Sequence, residues 1–436
     1  MKEYQNTLQE HLQQGLLPSE SLSDDAPFWV QKINAVSRKF GIERPELVTP
    51  SVHRKGQIFS SSDYLVVFEE GLLVVYGRLG NIVTTADVGV GPWDCVVIGP
   101  YFIAMNGDQI VTIDPESQVV SVEDTLPNTP CGRTMCDANG QLVIGAPVTP
   151  WHDCGENAVV YSRIGDVDCT VDHSNEAGFI NLPTSGAVKQ VCAIGPGIVA
   201  GTDDGIFYLT PPTELPGFAV TRVIEYPILS KGAAASDDKR AVVVTTNGVY
   251  TIARDGSVDE LGFKYLFNQD TEVHYGCRDN TFYLTTQGKT YCLYGNELFE
   301  SAQQIDGVCR WKGEPLGIVP TMGDFNDWAL TTHSLTFGNT SLKTLRSVEV
   351  LGSVDGNHEA RLRVWWKTNK SNWIATPWKP LYPEAMAVPN ISGVKFRLEL
   401  RGRYVQNRPL QISKITARFK TSDRRFIRGA TGATRT

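Results

Sequence analysis

Between residues 64 and 295 the chain repeats one pattern: a short apolar run, a turn of two to four residues holding Gly or Asn, then a second apolar run. Tyr64–Gly77 (YLVVFEEGLLVVYG), Tyr101–Asp114 (YFIAMNGDQIVTID), Gly197–Leu209 (GIVAGTDDGIFYL), Ala241–Ala253 (AVVVTTNGVYTIA) and Thr281–Gly295 (TFYLTTQGKTYCLYG) all follow it. Each predicts a tight β-hairpin. A sixth copy starts at Gln141, with its partner strand at Ala158 displaced by the insertion 146–157, and a weaker seventh starts at Leu316. The clear copies begin at residues 64, 101, 141, 197, 241 and 281, spacings of 37, 40, 56, 44 and 40. An all-strand period near 40 residues is the mark of β-propeller blades. A lone hairpin cannot bury its second face, so the copies are expected to stack radially as six or seven blades over residues 55–330.

The flanks read differently. Residues 1–54 predict a helical N-terminal arm, with a polar helix over Glu3–Leu17 and a second from Pro27 to Phe40, capped by Asp24 or Asp25 and ended by Gly41. Trp29, Ile33, Val36 and Phe40 fall on one face of that second helix, which would dock on the body or on a neighbouring subunit. Residues 331–436 show strict alternation in Arg361–Lys367, Val394–Tyr404 and Leu410–Lys420, apolar at one parity and rich in Arg and Lys at the other. That predicts strands with one buried and one basic face, hence a basic β-sandwich ending in a flexible tail, 421–436.

Charge sharpens this division. Residues 360–436 hold 17 Lys and Arg against three acids, whereas the rest holds 23 bases and 45 acids; the whole chain carries a net charge of −8. The basic end is expected to meet an acidic partner: nucleic acid, an acidic protein face, or the chain's own body. Arg401, Arg403, Arg418, Lys420, Arg424, Arg425 and Arg428 are the candidate contacts. Trp365, Trp366, Trp373 and Trp378 interleave with these bases and could stack on nucleobases or sugar rings. Trp365 and Trp366 are adjacent in a strand, so one of them must face the core. The nine cysteines are irregularly spaced, without a CxxC, and read as reduced, mostly buried thiols. No secretory leader or membrane-inserting segment is expected.

Chemistry is sparse. There is no nucleotide-binding glycine loop, no GxSxG and no HExxH. None of the seven histidines pairs with another at metal-ligand spacing. The densest polar patch, His152, Asp153, Cys154, Asp166, Asp168, Asp172 and His173, could hold a hard cation or supply two glycosidase acids, or could be an ordinary solvated loop. The expectation is a protein without cofactor, metal or catalytic residues.

One stretch is more specific. Residues 157–209 carry Tyr161-Ser162, Gly165-Asp166, Gly178-Phe179-Ile180-Asn181-Leu182 and Ile206-Phe207-Tyr208-Leu209. This order resembles a blade of the β-propeller structural proteins of bacteriophage tails, of the tail-nozzle, tail-hub or packaged-DNA-stabilising type. It departs at Cys169, near which an aromatic is common. The resemblance implies a virion protein made in the host cytoplasm. It would assemble with copies of itself in a ring, contact other tail proteins and serve DNA ejection, with packaged DNA as a further contact of the basic end. The alternative is a carbohydrate-recognition propeller with a lectin-like C-terminal sandwich, using Trp373 or Trp378 as a sugar platform.

Overall fold

The computed structural model describes residues 3–17, 23–39, 41–45, 48–124, 126–171, 176–210, 218–276, 280–321, 326–338, 340–353, 359–369, 371–381, 385–405 and 411–421. The chain is all-β; the one helical element among the described residues is the 3-10 turn Glu10–Gln13. No helix is long and apolar enough to cross a membrane. Two compact units emerge: residues 47–295 with 303–322, and residues 1–46 with 296–302 and 323–436.

The first unit is a β-propeller. It contains five complete four-stranded antiparallel sheets, spanning Gln57–Asp87, Asp94–Glu123, Gly132–Asn181, Val188–Ile224 and Ala234–Gly262. The strands Glu272–Gly276, Thr281–Thr286 and Lys289–Tyr294 follow, then a shorter sheet in which Thr49–Pro50 pairs in parallel with Glu314–Ile318 beside Gly307–Trp311. The count falls within the six or seven blades expected. Each repeated hairpin supplies the second and third strands of a blade. Gly197–Thr202 is buried along its whole length, as a central strand covered on both faces must be. The turns explain themselves locally: Glu70 and Gly71 both take positive φ, 49° and 88°, as a two-residue hairpin turn requires.

Packing between sheets closes the ring. Phe68, Val75, Trp93, Phe102 and Val111 bridge the first two blades. Met105, Met135 and Ile144 bridge the next pair, and Val159, Val188 and Phe207 the one after. Ile58, Leu65 and Val67 of the first blade then pack on Cys309 and Ile318 of the last. Burying both faces of every hairpin in this way is what a radial repeat gains over separate hairpins.

The second unit, called the C-terminal unit below, has two sheets with one core between them, antiparallel apart from the parallel pairing of Trp29–Ile33 with Glu297–Ser301. One is built around Lys343–Gly352 and Gln411–Thr421. The other holds Trp29–Ile33, Asp327–Thr332, Lys395–Arg403 and Arg361–Lys367 in that order. Leu345, Val348, Ile415 and Phe419 from the first meet Leu330, Leu362, Phe396 and Leu398 from the second.

The expected N-terminal helices are corrected here. Glu3–Thr7 is a strand paired with Gln411–Thr421. Trp29–Ile33 and Val36–Arg38 are strands in different sheets, separated by Asn34 at φ 47°. Glu3–Thr7 completes a ladder instead, and Leu8, Leu12 and Leu16, although spaced like a helical stripe, are buried from the 3-10 turn and the extended chain around it. The second segment has the side-chain spacing of an amphipathic helix, but it contains β-branched Val30, Ile33 and Val36, which suit a strand, and it finds its partner in Asp327–Thr332. Gly41 does not end a helix: at φ 130° it opens the strand Gly41–Glu43, where a Cβ would meet the Ile412 carbonyl oxygen at 2.1 Å. Asp25, expected as a helix cap, instead accepts hydrogen bonds from the backbone N–H groups of Thr336 and Phe337 at 2.7 and 2.9 Å.

Candidate binding face

The alternation in Arg361–Lys367 and Lys395–Arg403 builds a face of the C-terminal unit. The two strands are antiparallel neighbours with Arg361 opposite Arg401, Arg363 opposite Glu399, Trp365 opposite Arg397, and Lys367 opposite Lys395. The other parity, Leu362, Val364, Phe396, Leu398 and Leu400, is buried in the core. Trp366 packs against that core, so Trp365 is the outward member of the adjacent pair, as strand geometry demands.

Glu399 organises this face. It is 4% exposed, yet it accepts hydrogen bonds from Arg363 Nε at 2.9 Å and Trp365 Nε1 at 2.7 Å, and pairs with Arg401 at 2.8 Å. Burial works to raise its pKa; the bonds from Arg363 and Trp365 and the charge of Arg401 outweigh it and hold the carboxyl below its ordinary value. The guanidinium of Arg363 lies 4.3 Å from the ring centre of Trp378 and 5.0 Å from that of Trp365. Arg401 sits 5.5 Å from Trp378; Arg397 and Lys367 sit 4.6 and 4.9 Å from Trp373. Such cation–π stacking holds each base in one orientation. It also corrects the sugar-platform expectation, because Trp373 and Trp378 each already carry two cations.

The structure separates the other candidates. Arg403 stands on the same strand as Arg401 and is exposed, opposite Asp327. Arg418 and Lys420 belong to Gln411–Thr421 in the other sheet, where Arg418 pairs with Glu349 at 3.2 Å. Arg424, Arg425 and Arg428 lie outside the described residues. Of the expected docking helix, Trp29 and Val36 are core residues, Ile33 is half-buried in a ladder with Ala329, and Phe40 lies outside the described residues. What the sequence reading missed is Glu399, a lone acid at an outward position of a basic strand.

The Asp166–His173 loop is stitched to itself. Asp166 accepts from the Val167 N–H at 2.7 Å and Asp168 from the Thr170 N–H at 2.8 Å, while Cys169 is buried; Asp172 and His173 lie outside the described residues. Among the described residues no three His, Cys, Asp or Glu side chains are grouped to hold a metal ion. None of the eight described cysteines is disulfide-bonded, and burial pushes the Cys192 and Cys309 thiols up to about 12. Within the propeller, a cavity of about 870 Å³ is ringed by first strands of the blades and lined by Asp94, Gln190, Lys231, Glu272 and Asp306 among others.

Comparison with known proteins adds to the fold alone. No protein-family model and no curated protein matches the chain. Among solved structures, the WD40 domain of Neurospora crassa Pan2 is similar over 64% of this chain and 86% of its own, at 12% identity and a TM-score of 0.40. Kluyveromyces lactis Hsv2 is similar over 60% of this chain and 83% of its own, at 11% identity and a TM-score of 0.38. The tail-protein reading is corrected accordingly: the similar structures named are a WD40 domain and Hsv2, not phage tail proteins, and the virion nozzle or hub role is not kept; the propeller itself rests on the sheet order described above.

Proposed function

We propose that the chain is a non-catalytic binding protein whose C-terminal unit, read as a β-sandwich, presents its arginine–tryptophan face to an acidic macromolecular partner. One observation carries the reading: seven bases (Arg361, Arg363, Lys367, Lys395, Arg397, Arg401 and Arg403) share the outward parity of two neighbouring strands, several of them held on indole rings. Long basic side chains normally lose rotamer freedom when they bind. Stacking on Trp365, Trp373 and Trp378 removes part of that freedom beforehand, so less is lost in the complex. Since the ring faces are engaged by bases, the partner is recognised by its anionic groups rather than by stacking of nucleobases.

The test is binding of the full chain to poly-glutamate as salt is raised. Wild type is expected to bind at low salt and release at high salt. Arg361→Gln, Arg401→Gln and Arg403→Gln together should lower affinity at least tenfold in a chain that circular dichroism shows to be folded, with some stability lost where Arg401 no longer pairs with Glu399. Equal binding by the folded triple variant would overturn the reading.

A further inference from the structure

We propose that the acidic partner is a double-stranded nucleic acid, held through its phosphate backbone without regard to sequence. The proposal rests on the reading above and names the partner of that face. The ladder of its two strands sets like charges against each other at both ends: Arg361 stands opposite Arg401, and Lys367 opposite Lys395. Like charges in directly opposite positions weaken a sheet. Neighbouring acids temper this only in part. Glu359 lies 3.9 Å from Arg361, Glu399 lies 2.8 Å from Arg401, and Asp24 pairs with Lys395. The side chains of Arg361 and Arg401 are still 58% and 52% exposed. An anion bridging each pair removes the repulsion. The two pairs stand about 20 Å apart along the strands. Over that length one strand of a duplex presents about six phosphates.

The face favours a duplex over the other polyanions. A protein partner needs an apolar centre, because protein interfaces surround an apolar core with a polar rim. Among the described residues, neither Arg361–Lys367 nor Lys395–Arg403 exposes a large apolar side chain. The rings of Trp365, Trp373 and Trp378 are overlain by cations. Interfaces with nucleic acid need no such centre; they are polar and strongly positive. A single strand needs free aromatic faces for its bases, and here those faces are taken. A duplex keeps its bases stacked on one another and offers phosphates, whose geometry the arginine forks match. Contacts to the backbone alone carry no sequence information.

Fluorescence anisotropy of the full chain decides it, with a labelled DNA duplex two helical turns long, a duplex of unrelated sequence, the corresponding single strand, and poly-glutamate. The two duplexes should bind alike, and tighter than the single strand or poly-glutamate. The logarithm of duplex affinity should fall linearly with the logarithm of salt, with a slope of about −4, as roughly four to five neutralised phosphates require. Arg361→Gln with Lys367→Gln removes one member of each like-charge pair and should reduce that slope by about 2 in a chain that circular dichroism shows to be folded. Lys239→Gln with Lys264→Gln changes the net charge equally at exposed positions of the propeller and should leave the slope unchanged. Duplex binding no tighter than that of poly-glutamate overturns the proposal, as does a slope that Arg361→Gln with Lys367→Gln leaves intact. Unequal binding of the two duplexes overturns it, and so does tighter binding of the single strand, which would mean that bases reach the indole rings. If the duplex does not bind yet the Arg361, Arg401 and Arg403 substitutions abolish poly-glutamate binding, the binding face stands and only the nucleic acid falls. If poly-glutamate binding is also untouched, both fall.

Discussion

Lys32 and Glu297 form an ion pair inside the C-terminal unit, with the lysine side chain fully enclosed and the glutamate 13% exposed. The ammonium also donates to the Gln14 carbonyl at 3.0 Å and to Ser37 Oγ at 2.8 Å, and Glu297 accepts from the Ser37 N–H at 3.0 Å. Burial pulls the Lys32 pKa down; the charge and hydrogen bond of Glu297 oppose it. The pair is satisfied rather than strongly stabilising, because desolvation offsets most of the attraction. Removing one partner is a different matter. Glu297→Gln should destabilise the unit by about 3–5 kcal/mol, because it leaves an enclosed ammonium uncompensated. Lys32→Met with Glu297→Leu should recover most of that loss. Urea unfolding of the three variants checks the order.

Acid should weaken the same unit through His11. This residue is 5% exposed, with its Nε2 lacking a hydrogen-bond partner among the described residues, and its ring meets Trp29 edge-on at 5.8 Å. Burial lowers its pKa from 6.5 to about 4; Asp25 works the other way and His333 adds to the lowering. The folded protein therefore keeps the ring neutral while the unfolded chain protonates below 6.5. Stability is fully present above that pH and falls as pH drops from 6.5 to 4, by up to about 3 kcal/mol for a shift of this size. His333, also lowered chiefly by burial, acts in the same direction. The urea midpoint should decline across this window, and His11→Gln should flatten the decline. An unchanged slope in the variant would remove His11 as its cause.

How much of this was legible depends on how far apart the partners lie. The blade hairpins were legible because both strands and the turn sit within about fifteen residues, so alternation and a Gly or Asn turn carry the information locally. The N-terminal strands were not. Trp29–Ile33 pairs with Asp327–Thr332, and Glu3–Thr7 with Gln411–Thr421, so nothing nearby revealed the ladder. Spacing alone then favoured a helix through Trp29, Ile33 and Val36. At the binding face, strand alternation gave the outward bases and required one of Trp365 and Trp366 to face inward, without saying which. It could not show that Trp373 and Trp378 fold back over Arg397 and Arg363, nor that Glu399 would be enclosed by its basic neighbours.

Glu399 supports a prediction on both stability and binding. Glu399→Gln removes the carboxylate shared by Arg363, Trp365 and Arg401 and should cost about 2–4 kcal/mol. Because its folded pKa is depressed, its contribution is present above the unfolded value of 4.5 and is lost as pH falls through the lower folded value. That places its acid limb below the one set by His11. With Arg363 no longer fixed, tryptophan emission should shift and affinity for poly-glutamate should fall although the face has gained positive charge. A rise in affinity would mean that charge count, not preorganisation, governs binding.

Gly402 tests the packing beneath that face. It lies opposite Trp328 in the ladder, and a Cβ there would meet the indole at 2.6 Å. Trp328 is 2% exposed within the core that both sheets share, and its ring centre lies 6.4 Å from that of Tyr404, whose hydroxyl donates to the Asn34 carbonyl at 2.6 Å. The indole has little room to retreat, so Gly402→Ala should destabilise by about 1–3 kcal/mol, the usual range for forcing a methyl group into a filled core. The strand carries Arg401 and Arg403 on either side of this residue, and a shift of the backbone here would move both. Adding Trp328→Phe frees space for the methyl group and should recover part of the loss, so the double variant would be more stable than the sum of the single effects. Strict additivity would place the strain in the Gly402 backbone and not in its contact with the indole.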